Sequence, residues 1–194
     1  MRKLGIAATL VCLSLAPAQG QGPASSPEPA EPSPAHKYFG DVKLVNQDGQ
    51  EMRLYSDLLK ERTVVIDAMF TSCTGACPVM SATFAKLQEH LGDRLGKDVY
   101  MISISVDPVN DTPAKLKEYA ARFRARPGWY FLTGSKENVD AALRKLGQWV
   151  ESREAHQNLF LIGNDRTGLW KKALGLARPE EIFTIVDSVV NDRG

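Results

Sequence analysis

The sequence predicts an α/β fold: a mixed central sheet with helices on both faces and a hairpin on its N-terminal side. Two observations carry this. Apolar runs rich in β-branched residues, at 63–70 and 99–106, alternate with stretches whose apolar residues recur at helical spacing. The runs are nearly continuous rather than alternating, as expected for strands covered on both faces.

Taken in order, residues 41–45 and 51–54 alternate about Asn46-Gln47-Asp48-Gly49-Gln50, and turn residues between two such segments predict a hairpin. A short helix around residues 56–60 precedes the apolar strand 63–70. The next helix has Pro78 in its first turn, where the missing N–H costs nothing. Its Met80, Phe84, Leu87 and Leu91 should face the sheet, and Gly92 should stop it. A second buried strand, 99–106, ends in Asp107-Pro108. Thr112 as N-cap and Pro113 at the first helical position open a helix through Leu116, Tyr119, Ala120 and Phe123. Residues 129–132 are a third strand. Ser135 then caps a helix carrying Val139, Leu143 and Leu146, closed by Gly147. Residues 149–156 have no regular pattern. Residues 158–162 read as a strand, 164–168 as a turn and 169–173 as its return. Pro179, with Glu180 and Glu181, opens a last helix bearing Ile182, Ile185, Val186, Val189 and Val190. Strands alternating with helices, then a hairpin, then a helix, is a thioredoxin-like order.

The first 36 residues read differently. Arg2-Lys3 precede an apolar stretch of 12 residues, Leu4 to Leu15, and small residues offer cleavage after Ala18 or Gly20. This predicts a signal peptide over 1–20; the stretch is shorter than the roughly 20 residues a membrane span needs. Residues 21–36 are Pro-rich with few apolar side chains, so they are expected to be a disordered linker, with His36 exposed at its end. The folded domain is then 37–194. Export is predicted, to a bacterial periplasm, with the chain soluble after cleavage. Cys12 leaves with the signal, and it lacks the small preceding residue that lipidation would want. Cys73 and Cys77 remain, in an oxidising setting that permits a disulfide. A net charge of +1 gives no reason to expect nucleic acid.

Those two cysteines stand with three residues between them where the first buried strand gives way to a helix. One loop can turn both sulfurs towards one point, and the spacing equally permits a redox-active disulfide. Cys-x-x-x-Cys alone leaves metal clamp and redox couple open. Soft thiolates plus one imidazole favour copper or zinc. Of the three histidines only His156, just before the second hairpin, is placed to join them; His90 falls at a helix end, where a cation suits the dipole. Met69 and Met80 lie at core-facing spacing and read as packing. Two thiolates and a neutral imidazole carry a net charge of −1 with Cu(I) and zero with Cu(II). Asp107 ends the neighbouring strand, either as a turn residue or as a second-shell partner holding the histidine or a thiol. A peroxidatic reading fails, because Ile66 stands where that pattern needs a proline. Thioredoxin-type oxidoreductases use two residues between the cysteines, not three.

Gly40-Asp41-Val42, Asn46 to Gly49, Phe70-Thr71-Ser72-Cys73 through Cys77-Pro78, and Ala85 to Gln88 resemble the Sco/SenC family. So do Ser103 to Pro108, Asp111-Thr112-Pro113 and Leu116 to Tyr119. The resemblance spans about residues 37–190. It implies a thioredoxin-like fold and a copper-binding role in assembling the binuclear copper centre of cytochrome c oxidase, with Cys73, Cys77 and His156 as ligands. The implied partner is a membrane-associated oxidase subunit that receives copper, or another copper chaperone. Ala155 departs from the acidic residue usual before the histidine, and the segments on either side of residues 161–162 differ slightly in length. A metallochaperone is the leading expectation rather than an enzyme. A thiol–disulfide reductase that keeps the cysteines of a copper-site partner reduced is the alternative, and a disulfide-locked scaffold a third.

Overall fold

The computed structural model describes residues 31–194, so the expected signal peptide, most of the linker, and Cys12 lie outside the described residues. The linker reading meets a correction at its end. Ser33 accepts the His36 N–H and caps a helix, α1 (Pro34–Phe39). His36 is not an exposed linker residue: its ring stacks on Tyr55 at 4.9 Å and its Nε2 lies 3.2 Å from Asp41.

The hairpin comes next as β1 (Lys43–Asn46) and β2 (Glu51–Arg53). The helical segment expected near 56–60 is wound as a π-helical turn over Leu54–Leu59. Strand β3 (Thr63–Met69) is buried at every position, as its unbroken apolar run predicts. It leads to α2 (Ala76–Leu91), which Gly92 closes at φ +54°, a conformation glycine adopts without strain. Then come β4 (Val99–Ser105), α3 (Pro113–Arg122), β5 (Trp129–Thr133), α4 (Lys136–Lys145), the hairpin β6 (Leu159–Asn164) and β7 (Leu169–Leu174), and α5 (Pro179–Val190). Thr112 and Ser135 cap α3 and α4 through their hydroxyls, as read from the sequence.

The seven strands are ordered β2-β1-β5-β4-β3-β6-β7, with β3, β4 and β5 parallel and β6 antiparallel to β3. Alternation along the strands divides the core. Val65 and Met69 of β3 pack with Met80, Phe84 and Leu87 of α2 and with residues of α3 and α5. Val64, Ile66 and Ala68 face the opposite side, against α1, α4 and the π-helical turn. Met69 and Met80 are fully buried in the first layer. A Cβ on Gly175 would fall 2.7 Å from Met80 Cε, so the absent side chain there makes room for that packing. Met69 and Met80 pack in the core, as their spacing predicts.

Strand register brings two distant loops to one end of the sheet. Ile66 of β3 pairs with Leu161 of β6, so the loop before β6 reaches the end of the sheet where β3 finishes.

Candidate metal centre

The Met69 carbonyl closes the sheet by accepting the Val106 N–H at 2.8 Å. The chain then leaves the ladder: the Thr71 N–H donates to Asp111 Oδ2 at 3.0 Å, and the Cys73 N–H returns to the Phe70 carbonyl at 3.2 Å. Cys73 is therefore presented by a tight turn and stays partly exposed, while Cys77, in the first turn of α2, is buried against Met80 and Phe84. Both thiols are free, so the expected disulfide pair stands here in its reduced form.

His156 reaches them from a single 3-10 turn, Arg153–Ala155. Its Nδ1 lies 2.8 Å from the Arg153 carbonyl oxygen. A carbonyl can only accept, so Nδ1 carries a proton, and in the neutral ring Nε2 is left with its lone pair. That lone pair points at Cys77 Sγ, 3.3 Å away, and the imidazole and Phe70 rings meet nearly perpendicular with centroids 5.4 Å apart. Cys73 Sγ, Cys77 Sγ and the imidazole nitrogen all fall within 4.8 Å of one another. A metal bonded at about 2.0–2.3 Å to each would draw such donors to roughly 3.5–4 Å apart. The set is thus within about 1 Å of closing around one ion, with the imidazole already in the ligating tautomer. Among the described residues this is the one group of three or more such side chains close enough for that.

Electrostatics at the thiols is governed by burial. Desolvation, reinforced by the neighbouring Cys73, pushes the Cys77 thiol up to about 12. Without a metal it is therefore a neutral thiol at physiological pH, and a bound cation would have to displace its proton.

Of the two readings of Asp107, its contacts are those of a turn residue: its carbonyl accepts the Asn110 and Asp111 N–H groups, and it touches neither His156 nor a thiol. Its carboxylate accepts from Arg153 Nη1 at 2.5 Å and from Asn110 Nδ2 at 2.8 and 3.0 Å. Its hold on the histidine runs through Arg153, whose carbonyl fixes the imidazole and whose guanidinium lies 5.3 Å over the Phe70 ring. The other histidines stand apart from the thiols: His90 pairs with Asp187 at 2.9 Å and stacks on Phe183.

Three residues of this region were not singled out from the sequence. Arg153 gave no signal there, being one charge among several in an irregular stretch. Asp111 had one: it lies four residues beyond Asp107, just before a helix cap. Asp67 had the clearest, a carboxylate inside an otherwise apolar strand. It is buried, and burial pushes its pKa up to about 7, although the Ser103 hydroxyl beside it on β4 moderates the shift. That hydroxyl already accepts the Trp129 indole N–H at 3.0 Å, and neither Asp67 oxygen has a partner at hydrogen-bond geometry.

Fold and site together define a thioredoxin-like protein with a reduced dithiol and an imidazole gathered at one end of its sheet. The chain belongs to the SCO1/SenC family, whose model matches residues 30–189. It is 39% identical over 129 residues to the SCO1 protein homolog of Bacillus subtilis, covering 62% of this chain and 65% of that protein, and so spans just under two thirds of that relative. Among solved structures it resembles BsSco, described with a disulfide switch and as a member of the Sco family of cytochrome c oxidase assembly proteins. The match has TM-score 0.62 and 34% identity, over 76% of this chain and 90% of that one. Yeast Sco1 with copper bound shares the fold at TM-score 0.64 and 23% identity, over 79% and 93% of the two chains.

Proposed function

We propose that this chain holds copper between Cys73 Sγ, Cys77 Sγ and His156 Nε2 and passes it by ligand exchange to a copper-receiving oxidase subunit or another copper chaperone. The observation that carries this is the convergence of three soft or borderline donors within 4.8 Å, with the His156 proton committed to the opposite nitrogen. Membership of the SCO1/SenC family supports it. The partly exposed Cys73 lies in a recess it shares with Phe70, Glu154, His156 and Asn158, where an incoming donor can reach the ion. Copper here is cargo; the protein's part is to keep two thiols reduced and one imidazole oriented. The setting is extracytoplasmic, in keeping with the signal-like N-terminus, and no helix among the described residues is long and apolar enough to cross a membrane. The test is a competition titration of the reduced protein with Cu(I) and Cu(II), where about one copper per chain is expected. Absence of tight binding by the reduced protein would overturn the proposal.

A second reading draws on the free thiols and their unequal exposure. As a reductase, Cys73 as thiolate would attack a partner's disulfide to form a mixed disulfide and expel one partner thiolate. Cys77, losing its proton, would then displace the second partner sulfur and close the Cys73–Cys77 bond. The two electrons move to the partner, and a separate dithiol donor must restore the pair. This activity would survive loss of His156, whereas tight Cu(II) binding would not.

A further inference from the structure

The cysteine arm leaves β3 and the histidine arm enters its neighbour β6, and one hydrogen-bonded network joins them. Asp111, only 1% exposed, anchors it. Its Oδ2 accepts the Thr71 N–H at 3.0 Å and the Ser105 hydroxyl at 2.6 Å, and its Oδ1 accepts the Thr71 hydroxyl at 2.5 Å. The Ser105 oxygen in turn accepts the Asp107 N–H at 3.0 Å, and Asp107 holds Arg153. Thr71 is the point where the chain leaves β3 and turns outwards, two residues before Cys73. A strand end of this kind normally hands its next N–H to a neighbouring strand or to water. Here it is given to a buried carboxylate that also takes the side chain of the same residue, which fixes both position and rotation of the turn that carries Cys73.

We propose that Asp111 is a positioning residue for the thiol pair: by clamping Thr71 to the end of β4, it sets the approach of Cys73 to Cys77 and to the histidine arm. It touches no donor atom itself. A carboxylate buried for packing alone would be poorly suited, since an acceptor taken from water must recover its hydrogen bonds. Two of the three it recovers come from Thr71. The inference rests on the copper reading for its first measurement but not for its second.

The replacements separate geometry from charge. In Asp111→Asn, the amide oxygen can keep the Thr71 N–H and the Ser105 hydroxyl while the amide nitrogen donates to the Thr71 oxygen, which is able to reverse its role. Asp111→Ala loses all three bonds, and Thr71→Val loses only the hydroxyl bond in a side chain of similar shape. Copper affinity should fall about ten- to a hundredfold in Asp111→Ala, the range typical of residues that hold metal ligands in place. It should fall severalfold in Thr71→Val and stay within about threefold in Asp111→Asn. The thiolate-to-Cu(II) absorption band should shift in the same order. The metal-free readout is the Cys73–Cys77 reduction potential, which should shift in Asp111→Ala and Thr71→Val and return in Asp111→Asn.

If the wild-type protein binds no copper, the copper-carrier function fails and the potentials alone judge Asp111. If Asp111→Ala does not fold, Thr71→Val carries the test. Wild-type affinity, band and potential in whichever of these two variants folds would overturn the inference. So would an Asp111→Asn variant as impaired as Asp111→Ala, because charge rather than position would then be the cause.

Discussion

The two arms of the site are built on different principles. The cysteine arm is held by regular structure: β3 is buried throughout, α2 is seated on the core by Met80, Phe84 and Leu87, and the two thiols are four positions apart on one local path. The histidine arm is an irregular stretch with one 3-10 turn, held by the Arg153–Asp107 pair, the Arg153 carbonyl and the Phe70 ring. The thiol arm has this regular frame with one buried clamp, Asp111 on Thr71, added to it; the imidazole arm rests on a few contacts without such a frame. This fits a carrier, whose cargo must be held and then released. On the copper reading, the stiffer arm would keep the ion while the looser one would set when the third bond is made.

The sharpest way to break the comparison is at the thiols. Cys77→Ser and Cys73→Ser should each lower copper affinity by more than about a hundredfold, beyond what residues outside the metal's own ligands typically cost. Competition titration checks this, and retained tight binding in either would remove the thiol clamp. His156→Ala comes next: it should weaken Cu(II) strongly and Cu(I) less, since two thiolates alone still suit the softer ion. Undiminished binding of both oxidation states would show that the third donor is not this imidazole.

Arg153→Ala tests whether the looser arm rests on its contacts. A drop of about tenfold in copper affinity is expected, with the dithiol potential and the melting temperature close to wild type. A wild-type affinity would mean that the histidine loop holds itself.

Asp67→Asn should leave copper binding nearly unchanged and act on stability. The folded chain keeps the Asp67 proton to about pH 7, whereas the unfolded chain releases it near the ordinary value of 3.8. Between those values the folded state binds more protons, so wild-type stability falls as pH rises through the window. The Asn variant should match wild type near pH 4, lack this slope, and exceed wild type by about 2–4 kcal/mol at pH 8. Urea unfolding across that pH range is the measurement. Parallel pH profiles would show that Asp67 is ionised in the fold without cost.

Much of this was legible in the sequence, for identifiable reasons. The strands 63–70 and 99–106 and the helices opened by Pro113 and Pro179 were readable because burial and capping act within one turn or one strand. Elsewhere local signals misled. The Pro-rich composition that predicted disorder to residue 36 hides a helix that starts at Pro34, because His36 and Phe39 find aromatic partners at Tyr55 and Trp170. Asp107 was readable as a carboxylate near the site, but its partner was not, because Arg153 is 46 residues away in sequence.

By itself the sequence determined the thiol pair: four positions of chain between a buried strand and a helix start leave Cys73 and Cys77 little choice but to be neighbours. Only the tertiary structure decided that His156 meets Cys77, 79 residues earlier, with its lone pair facing the sulfur. The reason is physical. That meeting depends on β6 pairing antiparallel to β3 in one register and on the Asp107–Arg153 contact across the sheet's end. Strand partner and register are set by which faces pack together, which no local periodicity records.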